Sequence, residues 1–177
     1  FDIGGAQKLF GVTPDIATFG KSMGNGFPIS AIVGKKKFMM QMEEIFFSST
    51  FGGEIISIIA ALAVIKKMKM KPVIDEIYSK GNEIIQRVSL LINNYNLENF
   101  FSMTGHPSWS LININGNKSM STFQIKTLLL QDFLNNGILS SGTHNICFKH
   151  TKKDINKLIE VYELFFEKFR NIIDKKL

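Results

Sequence analysis

The residue best placed for covalent chemistry is Lys21. It follows Gly20 and an apolar run rich in strand formers, Ile16-Ala17-Thr18-Phe19. After it come a glycine-rich bend, Ser22-Met23-Gly24-Asn25-Gly26-Phe27-Pro28, and a second apolar run from Ile29 to Val33 that ends on Gly34. Strand, lysine, flexible loop and strand put one amine at the carboxyl end of a strand, the edge where open α/β sheets place their ligands. The near-continuous apolarity of both runs predicts strands covered on both faces. Burial there would disfavour the charged amine. A neutral amine is a nucleophile and forms a Schiff base with an aldehyde. The flanking glycines let the backbone approach a planar ligand. A solvated lysine after a strand has the same local pattern, so spacing alone leaves both readings open.

A second constellation is Ser48-Ser49-Thr50-Phe51-Gly52-Gly53, a loop leading into an apolar helix that starts at Glu54. Small residues at a helix N-terminus suit a phosphate, because free N–H groups and the helix dipole point the same way. The competing reading is an ordinary Ser/Thr cap. The histidines, His106, His144 and His150, make no metal site with Cys147. In His144-x-x-Cys147-x-x-His150, strand alternation sends His144 and Cys147 to opposite faces. The same argument removes a Cys/His nucleophile pair.

The elements that must position these groups follow from periodicity. Residues 1–15 read as a loop with turns at Gly4-Gly5 and Pro14-Asp15. Strands are expected at 16–19 and 29–33, and a short helix from Lys35 to about Met42. Glu54 to Lys69 is apolar on nearly every side, which predicts a buried helix. Pro72 opens a long helix to about Asn94, with apolar residues at helical spacing. Strands are expected at Phe100–Thr104, Trp109–Ile114, Ile138–Leu139 and Asn145–Phe148. A helix is expected over Thr122–Asn136 with Gly137 as its C′ residue. A final amphipathic helix runs from Lys153 to Lys175.

The 177 residues are 45% apolar and 20% charged, which permits a packed core and argues against disorder. The net charge of +6 is carried by scattered lysines without aromatic interleaving, read as solvated faces and not as a nucleic-acid surface. The lone Cys147 cannot form an internal disulfide, which suits a reducing, cytoplasmic setting. Phe1-Asp2-Ile3-Gly4-Gly5 does not read as a signal peptide. The apolar stretch from Ile55 to Ile65 is too short to span a bilayer.

GVTPDIATFGKSMGNGFPISAIVG, from Gly11 to Gly34, resembles the cofactor-lysine segment of class III (subgroup II) aminotransferases, which use pyridoxal 5′-phosphate. SSTFGGE, from Ser48 to Glu54, matches a second motif of that family in the right order. Gly4-Gly5-Ala6-Gln7 and Phe10 to Asp15 look most like its glutamate-1-semialdehyde aminomutase branch. The resemblance implies an α/β chain: a partial pyridoxal-phosphate transferase fold of type I, with an incomplete large domain followed by a small α+β domain. Residues 1–71 would be the C-terminal part of the cofactor domain, 72–97 a linking helix, and 98–177 the small domain.

By the same resemblance Lys21 is the catalytic residue. It would hold the cofactor as a Schiff base and then move a proton between substrate and cofactor. Thr50 would bind the cofactor phosphate of a neighbouring subunit in a homodimer. Glu54 stands where many members carry Asn. Family members are much longer and carry upstream the phosphate loop, the stacking aromatic and the Asp for the pyridine nitrogen; Asp2 is not that Asp. GILSSGTHNICFKHT resembles a segment beside the substrate entrance, with Ser140 to His144 either lining it or forming a plain loop. Arg87 and Arg170 sit on helices outside any carboxylate-clamp motif. The implied reaction is amino-group transfer from a small amino donor to a carbonyl acceptor. The alternatives are the aminomutase itself or a catalytically inactive remnant.

Overall fold

The computed structural model describes residues 1–174; residues 175–177, where the end of the predicted final helix and its last lysines fall, lie outside the described residues. The chain forms two compact units, one from Phe1 to Ile74 and the other from Asp75 onward. No helix among the described residues is long and apolar enough to cross a membrane.

The first unit begins with a short helix α1 (Ala6–Leu9). Strands β1 (Ile16–Phe19) and β2 (Ala31–Gly34) follow, with a 3-10 turn at Lys21–Met23 between them. The strands pair antiparallel, with Ile16 opposite Gly34 and Phe19 opposite Ala31. The expected cover on both faces is not there: Ile16, Ile32 and Val33 are all exposed. A two-stranded ribbon has two open edges, and here only the face of Ala17 and Phe19 is half covered, with Gly5 set against the Phe19 ring. After α2 (Lys36–Met39) and a 3-10 turn at Met40–Glu43 comes α3 (Ile55–Met70).

The apolar helix is not buried either. Only Ser57 and Ala61 of α3 are shut off from water, while Ile55, Ile56, Ile58, Ile59 and Leu62 are exposed. Apolarity on every side signals that cover is wanted on every side. Within this unit the packing on α3 comes from the 3-10 turn that holds Lys21. The two buried residues, one turn apart, mark a narrow stripe of small side chains.

The second unit has a dense core. Helix α4 (Val73–Asn94) enters it with Ile84, Val88 and Ile92. Strands β3 (Phe101–His106) and β4 (Trp109–Ile114) form a hairpin, and β5 (Thr143–Asn145) pairs antiparallel with β4, giving the order β3-β4-β5. Helices α5 (Thr122–Asn135) and α6 (Lys152–Asp174) pack together on the core. α5 starts with a capping box: Ser121 Oγ accepts from the Gln124 amide, and Gln124 Oε1 accepts from the Ser121 amide at 2.9 Å. Just before α6, the Thr151 amide donates to Asp154 Oδ2 at 2.7 Å.

Phe101 sits with Phe165, Phe166 and Phe169 of α6, its ring 5.2–5.8 Å from each. Each such ring buried contributes on the order of 2–3 kcal/mol of transfer free energy.

Two expected strands moved. Neither 138–139 nor 145–148 forms as predicted; one strand, β5, lies after the first and overlaps the second only at Asn145. Gly137 at φ 72° ends α5, and Ser140 then builds a tight bend. Its Oγ accepts from the Gly142 amide at 3.0 Å and donates to the Thr143 carbonyl at 2.9 Å. The Ile138 amide is already taken by the Phe133 carbonyl at 2.8 Å, so it is not free for a strand at 138–139. β3 also runs two residues further than expected, because Gly105 at φ 92° keeps its pairing with Ser110.

Candidate functional site

Lys21 is the first residue of the 3-10 turn that leaves β1. Its backbone is left-handed, φ 49°, which is uncommon for a residue with a Cβ and costs about 1–2 kcal/mol. The turn is tied by its own carbonyl, which accepts from the amides of Gly24 (3.2 Å) and Asn25 (3.1 Å). Gly24 is required there: a Cβ would stand 2.5 Å from Ile29 Cγ2 and 2.6 Å from the Phe27 carbonyl oxygen. The strand, the bend and α3 together fix where this one side chain leaves the backbone.

The lysine is exposed, not desolvated as the apolar flanks had suggested. The cause is the one already met: β1 and β2 have only partial cover in this unit. Among the described residues its Nζ has no hydrogen-bond or ion-pair partner. Asp15 pairs with Lys35 at 2.6 Å and Asp2 with Lys8 at 3.6 Å, so nearby carboxylates are committed elsewhere. Asp2 also accepts from the Gly4 amide at 2.7 Å, which makes it part of a local turn.

Thr50 lies in the exposed turn before α3. The expectation of free amides beside it is met only in part. Gly52 donates its amide to the Ser49 carbonyl at 3.0 Å. Glu54, the N-cap of α3, accepts from Ile56 N at 2.8 Å and from Ser57 N at 2.7 Å. The helix terminus therefore carries a carboxylate in place of an open anion seat. The Ser57 hydroxyl, then the Ser57 and Ile56 amides, hold that carboxyl below the usual range. Periodicity and turn chemistry found the helix start but not this self-capping.

In the second unit Ser140, Ser141, Thr143 and His144 border a recess of about 670 Å³, together with His150, Asp154 and Lys157. His144 differs from the rest. It is 5% exposed, and both ring nitrogens are occupied: Nδ1 lies 3.0 Å from Ser110 Oγ and Nε2 lies 2.8 Å from Tyr162 Oη. Burial pushes its pKa down to about 4 and the Tyr162 phenol pKa up. A neutral imidazole with both nitrogens bonded holds the core together and is not offered to an entering substrate. Arg87 donates to Glu83 at 2.9 Å and to Asn156 at 2.7 Å, and Arg170 pairs with Asp174 at 3.0 Å. His106 bonds Ser108 at 2.8 Å within its own turn.

Lys21 thus heads a glycine-rich turn after β1, and Thr50 lies in the turn before α3. The family model described as aminotransferase class-III matches residues 4–152. The chain belongs to this family.

Among curated relatives, the class-III aminotransferase chain is 32% identical over 161 residues to a 3-aminobutyryl-CoA aminotransferase of Cloacimonas acidaminovorans, covering 89% of this chain and 38% of that one. It is 29% identical over 181 residues to a glutamate-1-semialdehyde 2,1-aminomutase of Fusobacterium nucleatum, covering 94% of this chain and 42% of that one. Over 68 residues it is 52% identical to an enzyme of the same name from Methanocaldococcus jannaschii, 37% of this chain and 16% of that one. The chain thus spans about two fifths of the length of the first two relatives.

The fold is shared with the FumI protein of Sphingopyxis sp. MTA144 in its PLP internal aldimine form. The TM-score is 0.81 at 20% identity, over 93% of this chain and 39% of that one. A transaminase solved with PLP bound gives 0.82 at 20% identity, over 93% and 40%. This aminotransferase chain is therefore a partial type I pyridoxal-phosphate transferase fold, an incomplete large domain followed by a small α+β domain.

Ser110, Tyr162, Ser57 and the capping role of Glu54 carried no signal that the sequence reading used. Ser110 and Tyr162 stand 34 and 18 residues from His144, beyond any local pattern.

Proposed function

We propose that this chain is the lysine-bearing part of a pyridoxal-phosphate-dependent aminotransferase, with Lys21 as its catalytic residue. The single observation behind this reading is the unpartnered amine of Lys21 on a left-handed turn that Gly24 alone permits. Strain held at one residue is a mark of a functional position. The cofactor, when bound, supplies an aldehyde for the lysine and an electron-withdrawing ring. Lys21 Nζ holds it at that carbon and, once free, carries a proton to or from the substrate carbon. The Thr50 hydroxyl donates to a phosphate oxygen, and in a homodimer that phosphate belongs to the other copy's cofactor. The substrates are a small amino donor and a carbonyl acceptor. The lone, exposed Cys147 supports a reducing, cytoplasmic setting.

The donor set fits the cofactor at the lysine end. At the phosphate end it offers Thr50 but also the Glu54 carboxylate. The relatives named as aminomutases favour a second reading, transfer of nitrogen within one substrate molecule. A screen with and without an external carbonyl acceptor separates the two, because a mutase turns over without one.

Borohydride trapping tests the main reading. The protein is mixed with pyridoxal phosphate and a polypeptide supplying the rest of the fold, reduced, and mapped by mass spectrometry. The pyridoxyl label is expected on Lys21 and is lost in Lys21→Ala. Label spread over other lysines, or unchanged in Lys21→Ala, overturns the assignment.

A further inference from the structure

Three Asn-Gly steps occur in the chain, Asn25-Gly26, Asn115-Gly116 and Asn136-Gly137. Asparagine before glycine is a chemically labile pair. Glycine has no Cβ, so its backbone nitrogen can swing onto the asparagine side-chain carbon. Whether it does so in a folded chain depends on what holds the two groups.

Asn136-Gly137 is held at both groups. The Asn136 side-chain amide donates to the Asp132 carbonyl at 2.8 Å, and Gly137 N donates to the Leu134 carbonyl at 3.0 Å. Asn115-Gly116 is held at the nitrogen: Gly116 N donates to Thr122 Oγ1 at 3.0 Å. Gly116 is also hemmed in, since a Cβ there would stand 2.5 Å from Thr122 N. Asn25-Gly26 is different. Both residues are exposed. Among the described residues, neither the Asn25 side chain nor the Gly26 amide makes a hydrogen bond. Gly26, at φ 109°, has nothing within 4 Å of the place a Cβ would take. Asn25 is left-handed, φ 49°, which asparagine tolerates better than most residues.

We propose that Asn25 is a site of spontaneous deamidation, so that the turn headed by Lys21 undergoes a slow, one-way chemical change. Gly26 N attacks Asn25 Cγ and gives up its proton. The bond from Cγ to the side-chain nitrogen breaks, and ammonia leaves. The cyclic imide then takes up one water. Water at Cγ restores the main chain and leaves Asp; water at the backbone carbonyl carbon leaves isoaspartate, with the main chain running through Cγ. Nothing is oxidised or reduced. Asp tolerates the left-handed backbone as Asn does, so that product keeps the turn and adds a negative charge to it. Isoaspartate adds one main-chain atom between Cα of residue 25 and Gly26 N. That atom falls inside the turn closed by the Phe27 amide on the Gly24 carbonyl at 3.2 Å, so this bond is lost. The proposal does not depend on what Lys21 does: borohydride trapping reads residue 21, and deamidation is read at residue 25.

The three steps in one molecule are each other's controls. The full chain is held at pH 8 and 37 °C, folded and in parallel in urea, and sampled over weeks. Digests are mapped by mass spectrometry with fragmentation that separates Asp from isoaspartate. In urea all three steps are expected to lose ammonia. In the folded chain Asn25 should stay close to its urea rate, while Asn115 and Asn136 slow by about tenfold or more, because a hydrogen bond must open before either reacts. Asn25→Gln should remove the mass gain of the folded chain. Slowing of Asn25 as great as that of either other step overturns the proposal, as does an unchanged mass gain in Asn25→Gln.

Discussion

Tyr162 Oη lies 2.8 Å from His144 Nε2, and both groups are sealed inside the second unit. Ser110 Oγ closes the other side of the ring at 3.0 Å from Nδ1. In the neutral ring one nitrogen donates and the other accepts, and each hydroxyl can take either part. The three side chains hold β4, β5 and α6 to one another in place of purely apolar packing.

Stability should therefore fall with acid in a defined window. The folded His144 pKa, about 4, lies below the ordinary value of 6.5. Below 6.5 the unfolded chain takes up a proton that the folded chain refuses, so stability is steady above that pH and declines toward pH 4. The whole gap corresponds to about 3 kcal/mol. Urea midpoints measured from pH 8 to pH 4 should show the decline, and His144→Phe should flatten that part of the curve. A slope unchanged in His144→Phe would assign it to other groups.

Gly81 should reverse an ordinary rule. Glycine to alanine inside a helix usually gains about 1 kcal/mol. Here a Cβ would stand 1.7 Å from the Pro107 carbonyl oxygen and 2.5 Å from its carbon. The α4 backbone and the β3–β4 turn would have to part. Gly81→Ala is expected to lose about 2 kcal/mol or more, in the range of overpacked cores. Equilibrium denaturation of the variant measures this directly; a gain would mean the turn yields freely.

The strain at Lys21 is measurable apart from any chemistry. Glycine accepts φ 49° without a Cβ penalty, and alanine does not. Lys21→Gly should be more stable than Lys21→Ala by about 1 kcal/mol. Hydrogen exchange of the amides of Gly24 and Asn25, which bond the residue-21 carbonyl, reports it locally. Equal protection in the two variants would show that the turn relaxes.

The regular elements were legible wherever local pattern decides them. The hairpin strand Trp109–Ile114 agrees residue for residue, and the four long helices agree within about a turn at each end, because caps and apolar spacing are local. The placement of Lys21 after a strand and at the head of a bend was legible because strand, lysine and glycine bend are consecutive. Burial was not legible. The isoleucines of α3 and the runs of β1 and β2 read as covered, yet cover is a property of neighbours and not of the run itself. The pairing of His144 with Ser110 and Tyr162 was hidden for the same reason. So was Glu54, whose side chain folds back on its own helix; only its unusual type at that place was visible. The turn that ends α5 defeated strand propensity at Ile138 and Leu139, since the Ile138 amide is taken by the Phe133 carbonyl.

The aromatic cluster of α6 has a consequence for how the molecule opens. Tyr162, Phe165, Phe166 and Phe169 and all the partners that bury them lie after residue 75, whereas before it only Gly24, Ser57, Ala61 and Val73 are withdrawn from water. The two stretches ought to breathe on different clocks, the leading one exchanging its amide protons through cheap local fluctuations and the trailing one only when its whole interior comes apart.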